Sequence, residues 1–99
     1  MWYSIYCEDK KNSLDLRMKT RESHLEKLKL LLDQGRILIA GPCPEIDNED
    51  PGEHGFTGSQ IVAEFPSIQE AREWAEKDPY YIAGVFESVT VKPFKKVFP

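Results

Sequence analysis

The sequence predicts an α+β domain in the ferredoxin-like order β-α-β-β-α-β, an antiparallel sheet with two helices on one face. Two observations carry the prediction. Segments with the two-residue alternation of strands and segments with helical spacing follow one another in that order along the 99 residues. The one long connection, "PCPEIDNEDPGEHGFTG" at 42–58, holds three prolines, three glycines and five carboxylates, so it reads as a loop between the two middle strands.

Each element has its own signature. "MWYSIYC" is aromatic-rich and uncharged, a strand with Trp2 and Tyr6 on one side and Tyr3, Ile5 and Cys7 on the other. Both sides are apolar and both call for cover. "EDKKNS" is a polar turn ending in Ser13, a fair N-cap. Residues 14–35 have helical spacing, with Leu25, Leu28, Leu31 and Leu32 on one side and Gly35 as the stop. "RILIAG" is a second, mostly apolar strand. In "SQIVAEF", Ile61, Ala63 and Phe65 alternate with Gln60, Val62 and Glu64. The second helix, within 66–78, opens on Ser67 with Glu70 three residues on, and turns Ile68, Ala71, Trp74 and Ala75 inward. "GVFESVTVKPF" is the last strand. Helices on one face leave the other face bare. If it carries Trp2 or Tyr3 with Val85, Val89 and Val91, a second copy of the chain would cover it, so a homodimer is expected.

Composition bounds the function. Residues 1–99 make a single domain with a thin core. A net charge of −4 argues against nucleic acid as partner, because phosphates would be repelled. No apolar run approaches the roughly 20 residues of a membrane span, and the N-terminus lacks the pattern of a secretory leader. Cys7 and Cys43 are therefore expected as reduced thiols in a cytoplasmic protein. His24, His54, Cys7 and Cys43 lack the short paired spacings of a zinc site, so no metal is expected; nor is a P-loop or dinucleotide fingerprint present.

The chemistry-bearing residues gather on the first helix. At about 100° per residue, Arg17, Arg21, His24, Leu28 and Leu31 fall within roughly 80° of one another. Arginines beside a buried stripe imply a carboxylate or a bound anion, and Arg21 is placed nearer the stripe centre than Arg17. They also fit side chains that snorkel to acids of the loop. A histidine at that edge is either a hydrogen-bonded structural group or a general base whose tautomer a partner fixes. Asp78, in "DPYY", fits that partner and equally fits a helix stop before proline. Gly41, Gly55 and Gly58 allow close backbone approach or positive φ around the loop, and Ser59 follows directly.

Taken together, "RESHLEKLKLLLDQGRILIAGP", "DPGEHGFTGS", "DPYYIAGV" and "VKPFKKVF" strongly resemble the YciI-like family of small bacterial proteins, over nearly the whole chain. The resemblance implies the ferredoxin-like fold and pairing into a dimeric α/β barrel. It implies a site centred on a histidine and an aspartate. The histidine of R-x-x-H-L matches His24 and the aspartate of "DPY" matches Asp78, with Asp47 in the loop as competitor. A similar protein acts as a dehydrochlorinase on a chlorinated hydroxyquinol. On that basis Arg21 and Arg17 would hold an anionic or enolate-like oxygen, Ser59 would add a hydrogen bond, and Tyr6 a wall or a proton. The expected function is a lyase- or isomerase-like acid–base enzyme for a small anionic or aromatic molecule, with no metal or organic cofactor. The other class left open is a dimeric ligand- or partner-binding module without turnover.

Overall fold

Alternation along the first strand runs further than its apolar composition suggests. In the computed structural model, which describes residues 1–99, β1 spans Trp2–Asp9, with Tyr3, Ile5, Cys7 and Asp9 buried and Tyr6 and Glu8 exposed. The order continues with α1 (Leu14–Asp33), β2 (Ile37–Pro44), a 3-10 turn (Gly52–His54), β3 (Phe56–Glu64), α2 (Ile68–Glu76), α3 (Pro79–Ala83) and β4 (Phe86–Phe94). The four strands form one antiparallel sheet in the order β2-β3-β1-β4. This is the ferredoxin-like α+β arrangement.

β1 is an interior strand, paired with β3 on one side and β4 on the other. Ile5 pairs directly with Ile61 on β3 and Val91 on β4, and all three are buried. Burial of each such side chain is worth about 1.5–3 kcal/mol. Ala71 and Ala75 of α2 and Leu31 of α1 close over this face. Small residues on α2 let its axis approach the sheet. Ser67 caps α2 by accepting from the Glu70 N–H at 3.1 Å. Gly35 ends α1 with φ of 70°, a conformation glycine adopts without strain.

Several expectations are corrected. β2 and β3 extend into the predicted loop, pairing Pro42 with Ser59, Cys43 with Gly58 and Pro44 with Phe56. β2 is an edge strand, where proline's missing donor costs little. Gly58 is needed for close approach, since a Cβ there would stand 2.1 Å from the Cys7 carbonyl oxygen. The segment after Asp78 is a helix, α3, and not a plain connection.

The inward stripe of α1 also differs. Leu31 is buried and Leu28 partly so, but Leu25 and Leu32 are exposed. The buried positions are Arg17, His24 and Leu31, seven residues apart. Two polar groups take places that the leucines were expected to fill. The helix-free face is corrected as well. Val85 and Val91 are core, and Val89 packs against it. By strand parity the bare face instead carries Trp2 and Tyr6 of β1, Val62 of β3, and Thr90 and Phe94 of β4.

Candidate active site

Asp78 is placed by a local rule. It is the N-cap of α3, with extended backbone (φ −63°, ψ 136°), and Pro79 follows at the first turn. Its Oδ1 accepts the Tyr80 N–H at 2.8 Å. Asp78 therefore starts α3 rather than simply ending α2. The cap turns the carboxylate toward α1, where His24 comes from the inward stripe. His24 Nδ1 lies 2.9 Å from each Asp78 oxygen, and the side chains retain 7% and 2% of their exposure. Such a contact is best made with the proton on Nδ1, which leaves Nε2 as the basic nitrogen. Nε2 has no protein partner and is not sealed from solvent. Asp47 is exposed in the loop and is not the partner.

Behind this pair lies a second one that the sequence did not reveal. Arg17 is buried and donates through Nε to Asp9 Oδ2 at 2.9 Å and through Nη2 to Asp9 Oδ1 at 3.0 Å. The same Nη2 donates to Ser59 Oγ at 2.9 Å. Two planar groups matched in this way satisfy each other's charge and donors. The "EDKKNS" pattern reads Asp9 into a polar turn, whereas β1 runs through it; the signal for it is the β1 alternation carried two residues further. Ser59 faces inward because it pairs with Cys7 across β1 and β3.

Tyr80 joins the two pairs. Its ring stacks on His24 with centroids 4.1 Å apart and planes inclined by 19°. The Arg17 guanidinium carbon stands 4.6 Å from the ring centre. Burial raises the Tyr80 phenol above its ordinary range, although Arg17 and Arg21 pull it down. Cys7 is pushed up to about 12, by burial first and then by the fields of Asp78 and Asp9, so its thiol stays protonated and inert. Lys27, one turn beyond His24, donates from Nζ to the Trp74 carbonyl and lies 4.4 Å from the Trp74 ring centre. Burial lowers its ammonium group while Asp78 acts in the opposite sense.

The remaining candidates fall elsewhere. Arg21 is exposed, one flank away from the buried stripe, and was expected nearer its centre. It is within electrostatic reach of Tyr80 and makes no ion pair in the chain. Tyr6 points to the bare sheet face, opposite to Cys7 and Ser59, so it is not brought to His24 by its own chain. Arg17 donates through Nε and Nη2 to Asp9 and through Nη2 to Ser59 Oγ, so those two nitrogens are engaged within the chain, while its Nη1 and the Ser59 hydroxyl proton have no protein acceptor. His54 is exposed in the 3-10 turn. Two surface hollows, of about 560 and 840 Å³, are lined by neither His24 nor Asp78. Access to the pair is narrow, with His24 only 6% exposed. The groups in place can hold a neutral imidazole in one orientation, accept a proton at Nε2 and stabilise the imidazolium that results.

Comparison with known proteins gives a consistent set of likenesses. The family model described as YCII-related domain matches residues 1–95. The chain is 56% identical over 98 residues to the Escherichia coli O6:H1 protein YciI, covering 99% of this chain and 100% of that one. It is 33% identical over 85 residues to the Emericella nidulans derivative of benzaldehyde biosynthesis cluster protein C, covering 83% and 87% of the two chains. Among solved structures, it is similar to 5-chloro-2-hydroxyhydroquinone dehydrochlorinase (TftG) from Burkholderia phenoliruptrix AC1100, in complex with 2,5-dihydroxybenzoquinone. That match has a TM-score of 0.84 at 29% identity, over 96% of this chain and 94% of the other.

Proposed function

The chain belongs to the YCII-related family, and from that premise we propose that it is a small acid–base enzyme in which His24, oriented by Asp78, removes a proton from a small anionic or aromatic molecule. One observation carries the reading: Nδ1 is 2.9 Å from both carboxylate oxygens while Nε2 is left without a protein partner. A structural histidine would be expected to satisfy both nitrogens. Proton abstraction beside a carbonyl or phenol, followed by loss of a leaving group or by reprotonation, gives a lyase or an isomerase. On a hydroxylated, chlorinated ring one hydroxyl gives up its proton as the carbon bearing chlorine is protonated, forming the keto tautomer. Nε2 then takes the proton of a second hydroxyl, that oxygen's electron pair forms a carbonyl, and chloride leaves with the C–Cl pair, so that the ring becomes a quinone with net loss of HCl. The exposed Arg21 is the cation available to an anionic or enolate-like oxygen at the mouth. The likeness to the dehydrochlorinase supports a hydroxylated, chlorinated ring as the first substrate to try.

Chloride release from 5-chloro-2-hydroxyhydroquinone tests this. The expected result is turnover that His24→Gln abolishes and that Asp78→Asn cuts by about 10²–10⁴-fold, the range for a positioned base. Equal rates in the unmodified protein and His24→Gln would remove His24 from the chemistry. Binding of 2,5-dihydroxybenzoquinone without turnover of this or related ring substrates would favour the binding-module reading.

The same proposal includes a homodimer formed through the bare sheet face, where Trp2, Tyr6 and Phe94 present apolar surface. No helix is long and apolar enough to cross a membrane. Cys7 and Cys43 are both free thiols, which suits the reducing cytoplasm proposed as its location.

A further inference from the structure

Arg17 and His24 stand seven residues apart on α1, about 10.5 Å along its axis, and both turn inward. The Tyr80 ring occupies the interval, 4.1 Å from the imidazole centroid and 4.6 Å from the guanidinium carbon. An aromatic face attracts a cation on either side, so the ring satisfies both neighbours while keeping them apart. Without it, an imidazolium formed at His24 would look across a void at the Arg17 charge. The ring is itself held on two further sides. Its backbone N–H is bound by Asp78 Oδ1, the same oxygen that meets His24. Phe86 packs edge-on at 5.6 Å and 74°. Asp78 fixes one nitrogen of the imidazole, but one contact at one ring atom leaves rotation about that contact open. Stacking on an immobilised ring removes that freedom.

We propose that Tyr80 is a positioning residue for His24: its buried ring, packed between Arg17 and His24, fixes the plane of the imidazole so that Nδ1 stays on Asp78 and Nε2 stays open. The consequence rests on the reading of His24 as the base, but the placement can be measured without turnover. The contribution belongs to the ring and not to the hydroxyl. Tyr80→Phe therefore keeps the device, and Tyr80→Met, which fills the space with a flexible chain, loses it.

The test is side-chain ¹⁵N NMR of His24 in the neutral state, beside a thermal melt of each variant. The unmodified protein and Tyr80→Phe are expected to show one tautomer, protonated at Nδ1. Tyr80→Met is expected to show the Nε2-protonated form rising several-fold. Should Tyr80→Met fail to fold, Asp78→Asn supplies the second measurement: the through-space contacts between the His24 and Tyr80 rings should persist there. An unchanged tautomer in a folded Tyr80→Met, or loss of those ring contacts in Asp78→Asn, would overturn the proposal. Absence of chloride release with the expected tautomer pattern would count against the enzyme reading alone.

Discussion

Replacing Arg17 with alanine should expose how much of the fold depends on a charge pair beneath the candidate site. Arg17 and Asp9 retain 6% and 2% of their side-chain exposure, and the pair is closed by two hydrogen bonds with a third to Ser59. Arg17→Ala leaves the Asp9 carboxylate buried without a counter-charge and Ser59 without its donor. Removing one partner of such a pair costs about 3–5 kcal/mol. A domain of this size has roughly 5–15 kcal/mol in total. Each kcal/mol moves the melting temperature by about 4–8 °C in domains of 60–100 residues, so a drop of roughly 12–40 °C is expected. The double variant Arg17→Met with Asp9→Leu removes both charges, and should recover most of the loss by burying apolar groups instead. Urea unfolding of the unmodified protein, Arg17→Met, Asp9→Leu and the double variant measures the coupling directly. A loss below about 1 kcal/mol in Arg17→Ala, or losses that simply add in the double variant, would refute the account. Arg17 would then be free to serve a ligand, as first expected from the helix spacing.

Four further outcomes follow from the same structure. Arg21→Ala should weaken binding of 2,5-dihydroxybenzoquinone about tenfold with the melting temperature within a few degrees, because an exposed cation without an ion pair contributes little to folding; isothermal calorimetry and a melt on one preparation check it. Gly58→Ala should destabilise by several kcal/mol and release Ser59 from Arg17, since the added carbon meets backbone at 2.1 Å rather than a side chain that can move; hydrogen exchange across β1 and β3 reads the damage. Cys7 is held up to about 12, whereas the unfolded thiol ionises near 9, so the folded state keeps a proton that the unfolded state loses. Stability should therefore fall as pH rises from about 9 to 12, at up to about 1.4 kcal/mol per unit from this group, and less steeply in Cys7→Ala; equal slopes would remove Cys7 as the cause. Tyr6→Glu should give folded monomers by sedimentation, because Tyr6 lies on the bare face, whereas Val89→Glu should unfold the chain because Val89 packs on the core; a folded Val89→Glu would contradict this assignment of faces.

What the sequence determined by itself is what short-range physics controls. The order of strands and helices follows from periodicity, the Ser67 cap from a hydroxyl placed before Glu70, and the stop at Gly35 from a conformation few other residues adopt. His24 and Asp78 were legible as candidates because one lies on the inward side of a helix and the other sits in an Asp-Pro step. Tertiary structure decided the partnerships. The Asp78–His24 contact spans 54 residues and the Arg17–Ser59 contact 42, distances over which no local pattern distinguishes Asp78 from Asp47. Asp9 and Tyr80 were missed because their roles depend on how far β1 stays paired and on a helix of five residues. The bare face turned on strand parity, since moving one residue along a strand reverses the side. Parity in β4 is set by its pairing with β1, Cys7 opposite Val89 and Tyr6 opposite Thr90. That pairing forms only when chain ends more than eighty residues apart meet, and the free energy that selects it comes from the core they close together.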